Sequence, residues 1–350
     1  MLFENKRKNM YRFNCDYLEG AHPEIIDRLV KTNLLQTASY GADEFSESAK
    51  EKIKKACKAE NARVYFLVGG TQANYTVLDS ILRNHEGVLS CDTGHIAVHE
   101  AGAIEYSGHK VLTVPGENGK LSVEGAKKYL ETFYSDATYR HMVRPGAIYI
   151  SHPSEYGTLY TENELKGLRE LCDEYKMKLY LDGARLGYGL AAENTDVGLP
   201  EIAKYCHAFY IGGTKVGALF GEAVVFTDEE CGEYFFTEMK QHGALLAKGR
   251  ILGLQFDTLF TDDLYMNIGK YAVGLAMKIK KAFLEKGYEI YLDSYTNQQF
   301  FILPNEKLRE LLEKVIIDDW GPAGEGKTLV RVTTSWATTE KACDYLISLL

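Results

Sequence analysis

Two short apolar runs in this chain end on residues of opposite charge. Leu179-Tyr180-Leu181 leads into Asp182-Gly183-Ala184-Arg185, and Ala208-Phe209-Tyr210-Ile211 leads into Gly212-Gly213-Thr214-Lys215. Both runs have strand length, and the spacer between them reads as helical. In an open α/β sheet the ligand crevice lies at the carboxyl ends of the strands, so an acid and an amine delivered there can act on one bound molecule. A lysine amine attacks carbonyl carbon, and a carboxylate can hold a protonated ring nitrogen.

Pyridoxal phosphate (PLP) needs this pair more than any other cofactor. Lysine forms a Schiff base with its aldehyde, and the acid keeps its pyridine nitrogen protonated. A phosphate cradle is also required. Val64–Val68 reads as a strand, followed at once by Gly69-Gly70-Thr71-Gln72-Ala73-Asn74 and a helix to about Arg83. A glycine turn at a helix start offers free N–H groups and the positive end of the helix dipole to an anion. The same pattern also makes an ordinary strand–helix turn. It is not GxGxxG and does not end in GK[ST], so a single phosphate suits it better than a nucleotide. A nicotinamide oxidoreductase lacks its fingerprint here.

Two more strand ends carry reactive groups. Val88–Cys91 delivers Asp92-Thr93-Gly94-His95, and His99 and Glu100 follow on a helix. The His95 ring could stack on a flat cofactor or simply start a helix. His95 and His99 are one turn apart, but the pattern is not HExxH and has no third ligand, so no metal is expected. The strand Gly146–Ser151 ends on His152-Pro153-Ser154-Glu155. Glu155 either joins the same edge or sits in a solvent-exposed turn.

From Val64 to Phe226, short apolar runs alternate with helices of ten to fifteen residues, which specifies a mostly parallel sheet covered on both faces. Strands are also expected at Lys110–Pro115 and Gly221–Thr227. Helices are expected at Pro23–Thr32, Ser46–Ala59 and Ser122–Tyr134. A further helix starts at the Thr161/Glu164 capping box and runs to about Tyr175. Long helices then cover Glu229–Thr261 and Leu264–Glu285. The tail reads as strands Tyr288–Tyr291, Gln299–Leu303 and Thr328–Thr333 with helices Asn305–Val315 and Thr339–Leu350. This gives an extended arm at 1–22, a large domain at 23–262 and a smaller α+β domain at 263–350, hinged at the helix from Leu264.

The 350 residues suffice for one large core or two unequal domains, and a net charge of −9 argues against nucleic acid or an anionic membrane as partner. Seven scattered cysteines without CxxC spacing fit free thiols in a reducing cytoplasm. Met1–Met10 lacks the apolar core of a signal peptide. No run approaches the roughly 18 apolar residues of a membrane span.

Taken in order, GGTQAN, DTGHIAVHEAGA, DGAR, GGTKVG and GEAVVF resemble the threonine aldolase family, within the β-eliminating lyase group of fold-type-I PLP enzymes. The likeness runs from Asn14-Cys15-Asp16 to Arg331. It implies a seven-stranded, mostly parallel large domain, and a homodimer or homotetramer with active sites shared between subunits. The implied reaction is retro-aldol cleavage of a β-hydroxy-α-amino acid to glycine and an aldehyde, with low specificity between threonine and allo-threonine. β-Elimination, transamination or racemisation, or PLP binding without catalysis, are the alternatives. By position, the resemblance makes Lys215 the cofactor-linked lysine, Asp182 the partner of the ring nitrogen and His95 the stacking ring. Gly70, Thr71 and Gln72 belong to the phosphate turn. Arg185 and Arg331 would hold the substrate carboxylate. Tyr40 lies near the cofactor, and Lys248 falls where an arginine reaches the phosphate from the partner subunit. Cys15 replaces a carboxylate-binding serine, and Glu155 replaces a second histidine proposed as base. GGTKVG departs from the commoner SKGL.

Overall fold

The computed structural model describes residues 10–350. Most of the stretch read as lacking a signal peptide, and the start of the expected arm, lie outside the described residues. Within the arm, β1 (Tyr11–Arg12) is a short strand. The main sheet contains β2 (Arg63–Leu67), β3 (Glu86–Cys91), β4 (Val111–Val114), β5 (Arg144–Ser151), β6 (Lys178–Asp182), β7 (Ala208–Gly212) and β8 (Glu222–Phe226). Their order is β2-β8-β7-β6-β5-β3-β4. Six strands run parallel, and β8 alone is antiparallel to its neighbours β2 and β7. The strand ends fall into line: Ser151 pairs with Asp182, and Glu222 pairs with both Gly212 and Leu67. One edge of the sheet therefore gathers the ends of β2, β5, β6 and β7 together with the start of β8.

Side chains alternate across a strand, and here the alternation is chemically sorted. Ile148, Ile150, Leu179, Leu181, Phe209 and Ile211 enter the larger core. Tyr149, Tyr180 and Tyr210 point to the opposite face, into a second apolar layer. Asp182 continues the Tyr180 face, which places phenols beside a carboxylate.

The second sheet is antiparallel, in the order β12-β13-β10-β9, from β9 (Glu289–Leu292), β10 (Gln298–Pro304), β12 (Asp318–Pro322) and β13 (Lys327–Thr333). A separate short strand, β11 (Val315–Ile316), pairs in parallel with β1. The helix Leu264–Glu285 serves both cores: Ile268 and Ala272 pack on the large one, Ile279 and Phe283 on the small one. Phe13 of the arm is fully buried in the small core.

Several expectations need correction. The helix expected over Glu229–Thr261 is two helices, Phe235–Gln241 and Arg250–Leu259. Gly243, at φ +67°, turns the chain between them. The helix from His95 ends at Val98, before His99. The second helix begins at Glu44, capped by Asp43 through Ser46 N–H at 2.9 Å. The helix expected over Asn305–Val315 stops at Leu312, and Val315 enters β11 instead.

Candidate active site

At the gathered edge of the main sheet lies a cavity of about 270 Å³. Gly70, Thr71, His95, Asp182, Arg185 and Lys215 line it. Glu155 lines it as well, together with an adjoining cavity reached by Arg331.

Asp182 is buried, and three side chains donate to it. The Tyr210 hydroxyl reaches Oδ1 at 2.5 Å, while the Tyr149 hydroxyl and Asn74 Nδ2 reach Oδ2 at 2.7 and 2.9 Å. Ala184 N–H adds a fourth bond at 2.9 Å. Burial works against its charge, but the His95 ring and the donors from Tyr210, Asn74 and Tyr149 outweigh it, so the carboxyl stays below its ordinary value. The site thus holds a firm negative charge at a fixed place.

Lys215 follows β7 in a turn tied down by the Tyr188 hydroxyl on its carbonyl, at 2.5 Å. Its amine lies 5.7 Å from the centre of the Tyr17 ring. Burial and the Arg185 charge lower its proton affinity against the pull of Asp16, Asp182 and Glu222. A lysine with lowered proton affinity presents more free amine at neutral pH, which is what carbonyl chemistry requires.

The His95 ring is aimed by Glu100, with Nδ1 2.7 Å from Oε1. Asn74 Nδ2 donates to that same oxygen at 2.6 Å, joining His95, Glu100, Asn74 and Asp182 in one network. Glu155 accepts the His95 N–H at 2.9 Å and the Ser151 hydroxyl at 2.7 Å. Burial raises its proton affinity despite the Ser151 bond.

Arg185 is already engaged: Asp16 accepts from its Nε at 2.7 Å and from its terminal nitrogen at 3.0 Å. Arg331 donates to Asp318 at 2.7 Å and to Gln298 at 3.0 Å, and its Nε has no partner among the described residues. Gln72 turns back to accept Val68 N–H at 3.2 Å. Cys15 is half-buried and lines neither cavity. Tyr40 and Lys248 lie apart from Lys215: Tyr40 lines a second surface cavity beside Gly249, and its N–H bonds Ala247 O at 3.1 Å. Asp16, Asn74, Glu100 and Glu222 join the site without having been singled out in the sequence. All four sat inside quoted stretches, but no spacing marked them as partners.

These residues fit PLP. Gly69, the N-cap of the helix Gly70–Ile81, supplies no side-chain cap, so the first-turn N–H groups remain open to an anion. A Cβ on Gly70 would stand 3.0 Å from the Tyr210 hydroxyl, so a side chain there would press on the Asp182 network. A fixed carboxylate and an activated amine complete the set. Fold and cavity together define a PLP-dependent enzyme of fold type I.

The comparisons agree. The description beta-eliminating lyase matches residues 14–299, and the chain belongs to that family. It is a PLP-dependent lyase. A low specificity L-threonine aldolase from Pseudomonas sp. is 27% identical over 306 residues, 87% of each chain. A solved threonine aldolase from Leishmania major is 37% identical, covers 97% of this chain and 98% of its own, and superposes with a TM-score of 0.93. A Thermus thermophilus aspartate aminotransferase shares the fold at a TM-score of 0.72 with 15% identity.

Proposed function

We propose that this chain is a low-specificity threonine/allo-threonine aldolase, cleaving β-hydroxy-α-amino acids to glycine and an aldehyde. The observation that carries the reading is the cavity that joins Lys215 and Asp182 to Glu155, with Arg331 in the space adjoining it. The 37% identical Leishmania major threonine aldolase supports the substrate class.

When bound, PLP would supply an electron sink that makes a bond to the substrate Cα breakable. Lys215 would hold the cofactor, Gly70 and Thr71 its phosphate, and Asp182 its ring nitrogen. His95 would cover the ring, pinned by Glu100. Arg331 and Arg185 would grip the substrate carboxylate, Arg185 sharing its donors with Asp16. Paired N–H donors fix a carboxylate in one plane, which orients the bond to be broken. Glu155, on the wall of the same cavity, would take the β-hydroxyl proton, and burial raises its proton affinity in the direction a base needs.

The site is completed by a second copy of the chain. Val30, Leu34 and Leu35 are exposed. Arg250 ties the carbonyls of Thr32 and Leu35 to the segment that carries Tyr40 and Lys248. A partner covering this apolar strip, in a homodimer or homotetramer, would bring Tyr40 and Lys248 to a neighbouring cavity. The seven free cysteines suit a reducing, cytoplasmic setting. No helix among the described residues is long and apolar enough to cross a membrane.

Product analysis with threonine, allo-threonine, serine and alanine tests the reaction. Acetaldehyde and glycine in equal amounts from a threonine isomer support it. Ammonia with a keto acid, a keto acid without free ammonia, or a racemised amino acid would replace it with elimination, transamination or racemisation respectively.

A further inference from the structure

Glu222 is a buried acid for which the aldolase reading provides no task. It opens β8, whose antiparallel course brings its first residue to the edge where the parallel strands end. There it stands opposite Gly212 of β7 and Leu67 of β2, between the Lys215 turn and the Gly69–Thr71 turn. It is 3% exposed and lines the same cavity as Lys215. Its Oε2 accepts Gly213 N–H at 3.1 Å and its Oε1 accepts the Thr214 hydroxyl at 2.8 Å. The Thr214 hydroxyl in turn accepts Gly221 N–H at 3.0 Å. Both carboxyl oxygens thus hold the two residues that precede Lys215.

Anchoring this turn uses both carboxyl oxygens as acceptors, whereas glutamine would offer one oxygen and an amide nitrogen that only donates. An ionisable group costs more to bury, and more so beside Asp182. What it adds over an amide is a negative charge on the wall of the cavity that Lys215 also lines.

Resting on the reading of Lys215 as the cofactor-linked lysine, we propose that Glu222 is its positioning residue. Its carboxyl group fixes the turn, and its charge on the wall of the same cavity sets how firmly the Lys215 nitrogen keeps its proton. Burial pushes Glu222 up to about 8 against the Thr214 bond and the Lys215 charge, while burial and Arg185 hold Lys215 down. The amine is also faced by Asp16 and Tyr17 of the arm, Asp182 of β6 and His95. Glu222 is also faced by Asp182, by Tyr180 and Tyr210 on β6 and β7, and by Tyr265 of the helix Leu264–Glu285.

The test is a pH titration of the lysine-dependent cofactor absorption band in the full chain reconstituted with PLP. Wild type, Glu222→Gln, Glu222→Asp and Lys215→Ala are compared, with folding followed by circular dichroism. Glutamine keeps the size and an acceptor but carries no charge. Loss of a nearby negative charge disfavours the protonated nitrogen, so the midpoint falls by about one pH unit in Glu222→Gln, tenfold in proton affinity. Glu222→Asp, with its carboxylate one methylene further back, shifts it in the same direction by less, and it carries the test if Glu222→Gln does not fold. Equal midpoints in wild type and the folded variants overturn the role of Glu222 while leaving Lys215 in place. A band that persists in Lys215→Ala, or none in wild type, overturns the Lys215 reading and this inference with it.

Discussion

Asp16 and Arg185, 169 positions apart, are joined by two parallel hydrogen bonds of 2.7 and 3.0 Å. Asn297 Nδ2 donates to the same aspartate at 2.9 Å. The arm, the end of β6 and the small sheet therefore meet at one buried carboxylate. Asp16 is fully buried and the Arg185 side chain is 13% exposed, so removing the acid would strand a buried guanidinium. Asp16→Ala is expected to lose about 3–5 kcal/mol of stability. Urea unfolding followed by circular dichroism measures this, and an unchanged midpoint would sink the assignment.

Gly70 is the one place in the phosphate turn where a methyl group reaches the acid network, through the Tyr210 hydroxyl at 3.0 Å. In Gly70→Ala either Tyr210 gives way or the turn does. Overpacking of this kind costs about 1–3 kcal/mol. Affinity for PLP should then fall roughly tenfold to a hundredfold, since 1.4 kcal/mol is about a factor of ten. Equilibrium dialysis decides the point, and wild-type affinity in the variant would argue against phosphate binding at this turn.

The four donors on Asp182 predict a graded series. Asp182→Ala removes the charge itself and should lower kcat by at least about a hundredfold. Tyr210→Phe removes a single donor, worth about 1 kcal/mol, and should cost roughly fivefold. Steady-state rates with allo-threonine test the order. A Tyr210→Phe loss as large as that of Asp182→Ala would mean that the tyrosine, not the acid, carries the effect.

His152 predicts a pH dependence of stability. It is fully buried, its Nδ1 accepts Tyr160 N–H at 3.2 Å, and its Nε2 has no partner among the described residues. Burial holds it down to about 4, below the unfolded value near 6.5. Above pH 6.5 the ring is neutral in both states and costs nothing. As pH falls from 6.5 towards 4, the unfolded chain binds a proton that the folded chain refuses, so stability drops by on the order of 3 kcal/mol. Measured against wild type between pH 7 and pH 4, His152→Asn should lose less. Parallel curves would show that the acid sensitivity lies elsewhere.

Much of this site was legible because its key residues sit where local pattern changes. Asp182 and Lys215 each end an apolar run, and Gly70 stands between a strand and a helix. The parallel sheet follows from the same alternation. Asp16, Glu222 and Asn74 were hidden because their roles come from register and from partners far away in sequence. The antiparallel course of β8 brings Glu222 to the site, and nothing near Glu222 announces that direction. β12 reads Asp318-Asp319-Trp320-Gly321-Pro322, which has turn composition, and becomes a strand by pairing with β13. Tyr40 and Lys248 match their motifs, yet in one chain they lie outside the Lys215 cavity.

The central claim is that Lys215 carries the cofactor. Borohydride reduction of the PLP-loaded chain, followed by peptide mass mapping, tests it most directly. The account predicts the reduced cofactor mass on the peptide containing Lys215 and its loss in Lys215→Ala. The mass on another lysine, or on none, would contradict it.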